Sequence, residues 1–159
     1  MSGEILTQGT ELWVLDTTAS PDALLKLSNA TGLGEFGPMS DDIEVTNLDS
    51  TAKEFLTGLP DNGEVSLPIN YADIASHRWL EDNQGTGVRY YFCIGFSDGS
   101  ADPTIGSGPV ITAPASRTSR IFQATVKSFK ENVDGNSVVK ATVTLRISGA
   151  IERTRASGL

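Results

Sequence analysis

The sequence predicts a mainly β fold of antiparallel strands with one short helix, and three observations carry that prediction. From Ile121 to Phe129 and again from Val138 to Ile151, apolar and polar residues alternate with period two. An Asp134-Gly135 pair inside NVDGNS supplies the turn between these runs, as a hairpin requires. Two more alternating runs, VSLPINY and VRYYFCIGF, come earlier, and only ADIASHRWLEDNQG has the spacing and end signals of a helix.

Taken in chain order, ELWVL reads as the first strand, and DALLKLSNATGLGEFGP holds a second before its glycines. Residues 46 to 64 form a long polar excursion that starts as a turn, looks briefly helical at TAKEFL, and turns again at Asp61-Asn62-Gly63. It predicts a long inter-strand loop, although Phe55, Leu56 and Leu59 are apolar. VSLPINY then places Val65, Leu67, Ile69 and Tyr71 on one side of a strand, and Pro68, which has no amide to donate, puts that strand at an edge or leaves that position unpaired. In the helix, Asp73 or Ser76 is a candidate cap and Asn83 to Gly85 the stop. Ala75 and Trp79, four residues apart, would lay Trp79 or Leu80 over the sheet. VRYYFCIGF aligns Val88, Tyr90, Phe92, Ile94 and Phe96 on one face, with Cys93 at a buried strand position. Residues 100 to 119 are rich in Gly, Pro, Ser and Thr and predict a loop with one short strand around Val110. In the last strand Val139, Ala141, Val143, Leu145 and Ile147 share one face, and Lys140, Thr142, Thr144, Arg146 and Ser148 the other.

A chain of 159 residues suits one domain with a real core. No stretch approaches the roughly 18 continuous apolar residues of a membrane span. The N-terminus carries an acid where a signal peptide has bases, so the expectation is a protein that stays in the cytoplasm where it is made. Residues 1 to 100 hold sixteen acids and four bases, a net −12, whereas residues 101 to 159 hold four acids and eight bases, a net +4. Acidic surfaces favour solubility, and the split also suits association in which an acidic surface of one copy meets a basic surface of the next. An acidic chain is a poor nucleic-acid binder, because that affinity comes from Lys and Arg on phosphates.

Catalytic and ligand-binding patterns are weak. His77 and Cys93 are each the single residue of their type, the first expected on the helix surface and the second in the core, and nothing nearby marks a nucleophilic pair. Asp41, Asp42 and Glu44 in MSDDIE lack the spaced ligands and turn glycine of a calcium loop and read as a solvated acidic face. GLGEFG at 32–37 has the glycines of a phosphate loop without the strand-to-helix unit around it, and GSG at 106–108 is equally unspecific. No two of the twenty acids stand out as a glycosidase pair. The expectation is a protein without catalytic residue, cofactor or metal, whose function lies in its surfaces.

The order of elements carries a further signal. An opening GTELWV strand, a polar excursion ending GLPDNGEVSLPINY, one short helix, the aromatic YYFCIGFSDG strand and the closing hairpin FQATVKSF to VVKATVTLRISGAI follow one another. That order resembles the major tail tube proteins of long, non-contractile-tailed bacteriophages. The likeness covers nearly the whole chain and is best at TAKEFLTGLPDNGEVSLPINY and in the C-terminal hairpin. It implies a β-sandwich or open barrel with one flanking helix, residues 1–159 forming a single tail-tube domain without the extra C-terminal immunoglobulin-like domain of many members. It further implies hexameric rings stacked head to tail into a virion tube, assembled in the host cytoplasm, that conducts DNA without binding it specifically. The tape-measure protein, tail terminator and distal tail protein are the implied partners, with no membrane involved. By the same resemblance the 46–64 loop reaches the neighbouring ring through Thr46, Asp49, Lys53, Phe55, Leu56, Leu59 and Asp61. Glu64 is the candidate lumenal acid, and Lys127, Lys140 and Arg146 would face ring contacts or pair with acids. Two other readings are the tube of a contractile tail or secretion machine, and a ligand-binding β-sandwich. For residues 46 to 64 the competing expectation is a locally packed Ω-loop or short helix.

Overall fold

In the computed structural model, which describes residues 4–108 and 110–156, ten strands and one helix are arranged around a single large sheet. Its strands are β1 (Glu11–Asp16), β2 (Ala23–Leu27), β5 (Glu64–Asn70), β6 (Tyr90–Gly95), β9 (Ser119–Asn132) and β10 (Lys140–Thr154), in the order β2-β1-β6-β9-β10-β5, with every neighbour antiparallel. Two small ribbons complete it: β3 (Met39–Glu44) with β4 (Phe55–Asp61), and β7 (Thr104–Gly106) with β8 (Val110–Thr112).

The alternation read from sequence sets the layers. Val65, Leu67, Ile69, Tyr90, Phe92, Ile94, Phe122, Ala124, Ala141, Val143, Leu145 and Ile147 all point to the concave side, where they form the main core with Leu12 and Val14. Helix α1 (Ala75–Asn83) closes this core with Trp79 and Leu80, the Trp79 ring meeting Tyr90 edge-on at 4.8 Å. On the convex side a second cluster of Trp13, Leu15, Cys93 and Ile121 is covered by Ile111 of the β7–β8 ribbon. The sheet therefore curls into an open barrel that is apolar inside and locally capped outside.

Pro68 explains how the curl is finished. Residues 29 to 34 run along the outer edge of β5, where Thr31 donates to Pro68 O (2.9 Å), Gly34 to Ser66 O (3.1 Å) and Asn70 to Asn29 O (3.0 Å). The missing amide of Pro68 faces this irregular segment and not β10, so no ladder bond is lost. As expected, β5 is the last strand of the sheet.

Several expectations are corrected. Residues 46 to 64 are neither one loop, an Ω-loop nor a helix: Phe55–Asp61 is β4, paired with a strand at MSDDIE that the sequence did not reveal. The 100–119 region holds two short strands instead of one. Val88 is exposed and precedes β6. The helix is capped at Ile74 without a side-chain bond, so neither Asp73 nor Ser76 serves. His77 is fully buried, contrary to a surface placement. Its Nε2 lies 2.8 Å from Ser28 O and its Nδ1 3.0 Å from both the amide and the carbonyl of Ala72, contacts that tie the helix to the end of β2.

Candidate assembly surfaces

The β3–β4 ribbon is a hairpin arm, and six of the seven residues expected at a ring contact lie along its tip and second strand. At the tip, Thr46 Oγ1 accepts from the Glu54 amide (2.9 Å) and Asn47 Oδ1 from the Asp49 amide (2.9 Å), so the connection folds on its own polar atoms. Lys53, Phe55, Leu56 and Leu59 follow, all exposed; Leu59 is 92% accessible, and Leu48 at the tip is fully so. Ile43 sits directly opposite Leu56, and Glu44 opposite Phe55. One face of the arm thus carries an uncovered apolar pair. Gly58 and Pro60 are tolerated in β4 because both strands of a two-stranded ribbon are edges, and a Cβ on Gly58 would sit 3.1 Å from Asp41 O. Residues 39 to 61 hold six acids and one base, a net −5.

The seventh, Asp61, and the lumenal candidate Glu64 belong to the root. Asp61 pairs with Arg146 (2.9 Å) and accepts from the Gly63 amide; that amide first, then Arg146, holds its carboxyl below the usual range. Asn62 donates to Gly149 O (2.5 Å) and Gly63 O accepts from Ile147, which fixes where the arm leaves β10. The receiving carbonyl sits in an irregularity of β10 where Gly149 has φ 87°, a conformation that favours glycine. Glu64, across from Arg146 on the convex face, is ion-paired with Lys127. Around it Ser66, Thr142, Thr144 and Ser128 give the β5–β10–β9 face a polar surface of mostly small side chains.

A group that sequence reasoning missed is Arg117, whose side chain is fully buried. Its guanidinium donates to Phe96 O (2.7 Å), Ala101 O (2.9 Å), Gly95 O (3.1 Å) and Glu11 Oε1 (3.0 Å), and lies 5.2 Å from the Trp13 ring centre. It pins the 97–118 segment to β1 and β6. No local pattern could have announced it, because most of its partners are backbone carbonyls. Arg120 lies opposite Arg153 in the β9–β10 ladder and 5.2 Å from the Phe96 ring. Burial first, then Arg153 and Arg155, holds the Arg120 pKa below its usual value.

His77 and Cys93 belong to different parts of the molecule, one held by backbone atoms of Ala72 and Ser28, the other in the convex cluster with its thiol pushed up to about 12 by burial. That is the chemistry of a packed interior. A curled sheet with an uncovered, charged arm describes a structural building block that meets other chains through its surfaces.

The family whose model matches residues 3–157 is described as phage tail tube, TTP, lambda-like. The chain belongs to this family of siphophage-type major tail proteins, a structural component of the virion tail. It is 30% identical over 153 residues, covering 91% of this chain and 90% of the relative, to "Structural protein 3" of Pseudomonas phage PAJU2. Among solved structures, a chain of the SPP1 tail tube matches with a TM-score of 0.61 at 12% identity, covering 94% of this chain and 78% of that one. Chains of a native gene transfer agent virion (TM-score 0.65, 13% identity, 97% and 98% covered) and of the anti-feeding prophage baseplate (0.67, 12%, 98% and 99%) share the fold.

Proposed function

We propose that this protein forms hexameric rings that stack head to tail into the tail tube, the conduit for DNA ejection. The observation that carries the reading is the arm: Leu48, Phe55, Leu56 and Leu59 stand exposed on a ribbon whose own domain gives them no cover. A second copy would supply it. Six subunits contributing about four strands each, at about 4.8 Å spacing, would enclose a bore of roughly 37 Å before strand tilt widens it.

The convex β5–β10–β9 face is the candidate wall of that bore. Its small polar side chains offer no deep apolar grip, and Lys127 and Arg146 are each matched by an acid, Glu64 and Asp61. DNA must pass quickly, and a continuous basic lining would hold it through counterion release. The role is structural, with assembly in the host cytoplasm around a tape-measure protein and between a distal tail protein and a terminator. Negative-stain microscopy of the purified protein, dilute and concentrated, tests it: six-fold rings and tubes are expected. Monomers alone in light scattering, at high concentration and over a range of salt, would remove the reading's support.

A further inference from the structure

The arm joins β5 through Asp61-Asn62-Gly63, and Asn62-Gly63 is the one Asn-Gly pair in the sequence. Asparagine is a chemically labile residue, most of all before glycine. Once the glycine amide loses its proton, its nitrogen can attack the asparagine Cγ, because glycine has no Cβ to shield it. The bond from Cγ to the side-chain nitrogen breaks, and ammonia leaves with the proton that the backbone amide gave up. Water then opens the resulting succinimide at one of its two carbonyls, which leaves aspartate or isoaspartate. One water is taken up and one ammonia released, with no change of oxidation state.

The folded chain holds both reacting groups apart. The Gly63 amide donates to Asp61 Oδ1 (2.9 Å) and Gly63 O accepts from the Ile147 amide (3.0 Å), so Gly63 is fixed through both its amide and its carbonyl. Asp61 is a weak base for that proton, since the same amide, then Arg146, holds its carboxyl below the usual range. Asn62 Nδ2 donates to Gly149 O (2.5 Å), 87 positions along the chain. The side chain must release β10 before Cγ can turn back on its own backbone. Asn62 is only 9% accessible, yet clefts of about 470 Å³ reach it from two sides, one lined by Pro38 and Ile151 and the other by Gly37 and Gly63. Water is therefore at hand once the turn opens.

We propose that Asn62 is a deamidation site, guarded by these hydrogen bonds in the folded chain and converted irreversibly when the arm root opens. Ionised aspartate at 62 has no hydrogen to give Gly149 O, sets a negative charge against that carbonyl and stands as a third acid with Asp61 and Glu64. Isoaspartate also inserts a methylene into the backbone of the turn. Either product leaves the arm without this anchor on β10, so a chain records in its covalent structure how long its root has stood open.

Peptide mapping by mass spectrometry tests this by following conversion at residue 62 in the native chain and in the chain denatured in urea, both in one mildly alkaline buffer. Conversion should be about tenfold or more slower in the native chain, because it passes through an opening whose population sets the rate. Asp61→Ala, which frees the Gly63 amide, should speed conversion severalfold in the native chain and leave the denatured rate as it was. Equal rates in native and denatured chains, no conversion at Asn62 in either, or a folded Asp61→Ala chain that converts no faster overturns the proposal. Asn62→Asp, the product itself, keeps the test decisive if Asp61→Ala does not fold. Hydrogen exchange at the Ile147 amide, the partner of Gly63 O, should then be severalfold faster than in the parent while residues 140–145 of β10 stay protected. Unchanged exchange at Ile147 would mean that the product keeps its anchor, and the proposal would fall.

Discussion

Arg117 shows how one side chain can organise a segment that sequence patterning leaves blank. A guanidinium taken wholly out of water must find partners for its donors, and it does so among carbonyls at Gly95, Phe96 and Ala101 and the Glu11 carboxylate. Gly95 and Gly99 are the clearance for it: a Cβ on Gly95 would fall 2.7 Å from Arg117 Nε, and one on Gly99 2.6 Å from Ser116 O. Arg117→Leu should therefore lower unfolding free energy by about 3–5 kcal/mol, the range for breaking a buried charge network, measured by denaturant titration. A change under about 0.5 kcal/mol, the scale of an ordinary surface substitution, would contradict this account. Glu11 is held below the usual carboxylate range by its hydrogen bond to Lys26, then, after an opposing effect of burial, by Arg117. A carboxyl more acidic in the fold than in the unfolded chain stabilises above its unfolded value, and that contribution disappears as pH falls through the lower folded one. The stability advantage of the native chain over Glu11→Gln should thus be constant near neutrality and shrink as pH drops from about 5 towards 3. A pH-independent difference between the two would assign no such role to Glu11. Burial of His77 was as illegible as Arg117, since both depend on backbone atoms distant in sequence, whereas Cys93 was legible from the apolar run around it.

Among the elements, those with one face on the core were readable and the arm was not. Period-two alternation marks β5, β6, β9 and β10 because burial on one side selects apolar residues at every second position. The arm has no core face in its own chain, so Met39, Ile43, Phe55 and Leu59 are exposed and their spacing answers to another surface. Its glycine, proline and acids imitate a loop. Leu56→Asp gives the corresponding prediction: the lost pair with Ile43 should alter monomer stability by no more than about 1 kcal/mol, while tubes no longer form. Thermal unfolding and electron microscopy of the same preparation would separate these effects, and tubes of normal length would show that Leu56 is no assembly contact. Trypsin provides a second measurement. Exposed Lys53 should be cut in free chains and shielded in tubes, whereas equal protection in both would indicate an arm ordered without a partner.

For the whole molecule, the uneven charge seen in the sequence is carried in part by the β3–β4 arm, residues 39 to 61, at a net −5. If that acidic arm meets a basic surface of another copy, screening should weaken assembly. The protein concentration needed for tubes should rise as salt goes from about 0.1 M to 1 M, over which the screening length falls from about 10 Å to 3 Å. A threshold that stays constant or falls would leave the apolar contacts as the sole drive. The charge split was legible, but which surfaces carry it required the fold. One detail of that fold bears on how such a protein survives before it assembles. The Ala30–Gly34 segment occupies the outer edge of β5 with hydrogen bonds to Ser66 and Pro68. A bare strand edge accepts any extended peptide, since amides and carbonyls do not distinguish sequences. With that edge occupied, β5 offers no template on which unassembled copies could zip together out of order. At that end of the sheet, contacts between copies are left to side chains, which can reject a wrong partner or a wrong orientation where a bare backbone edge could not.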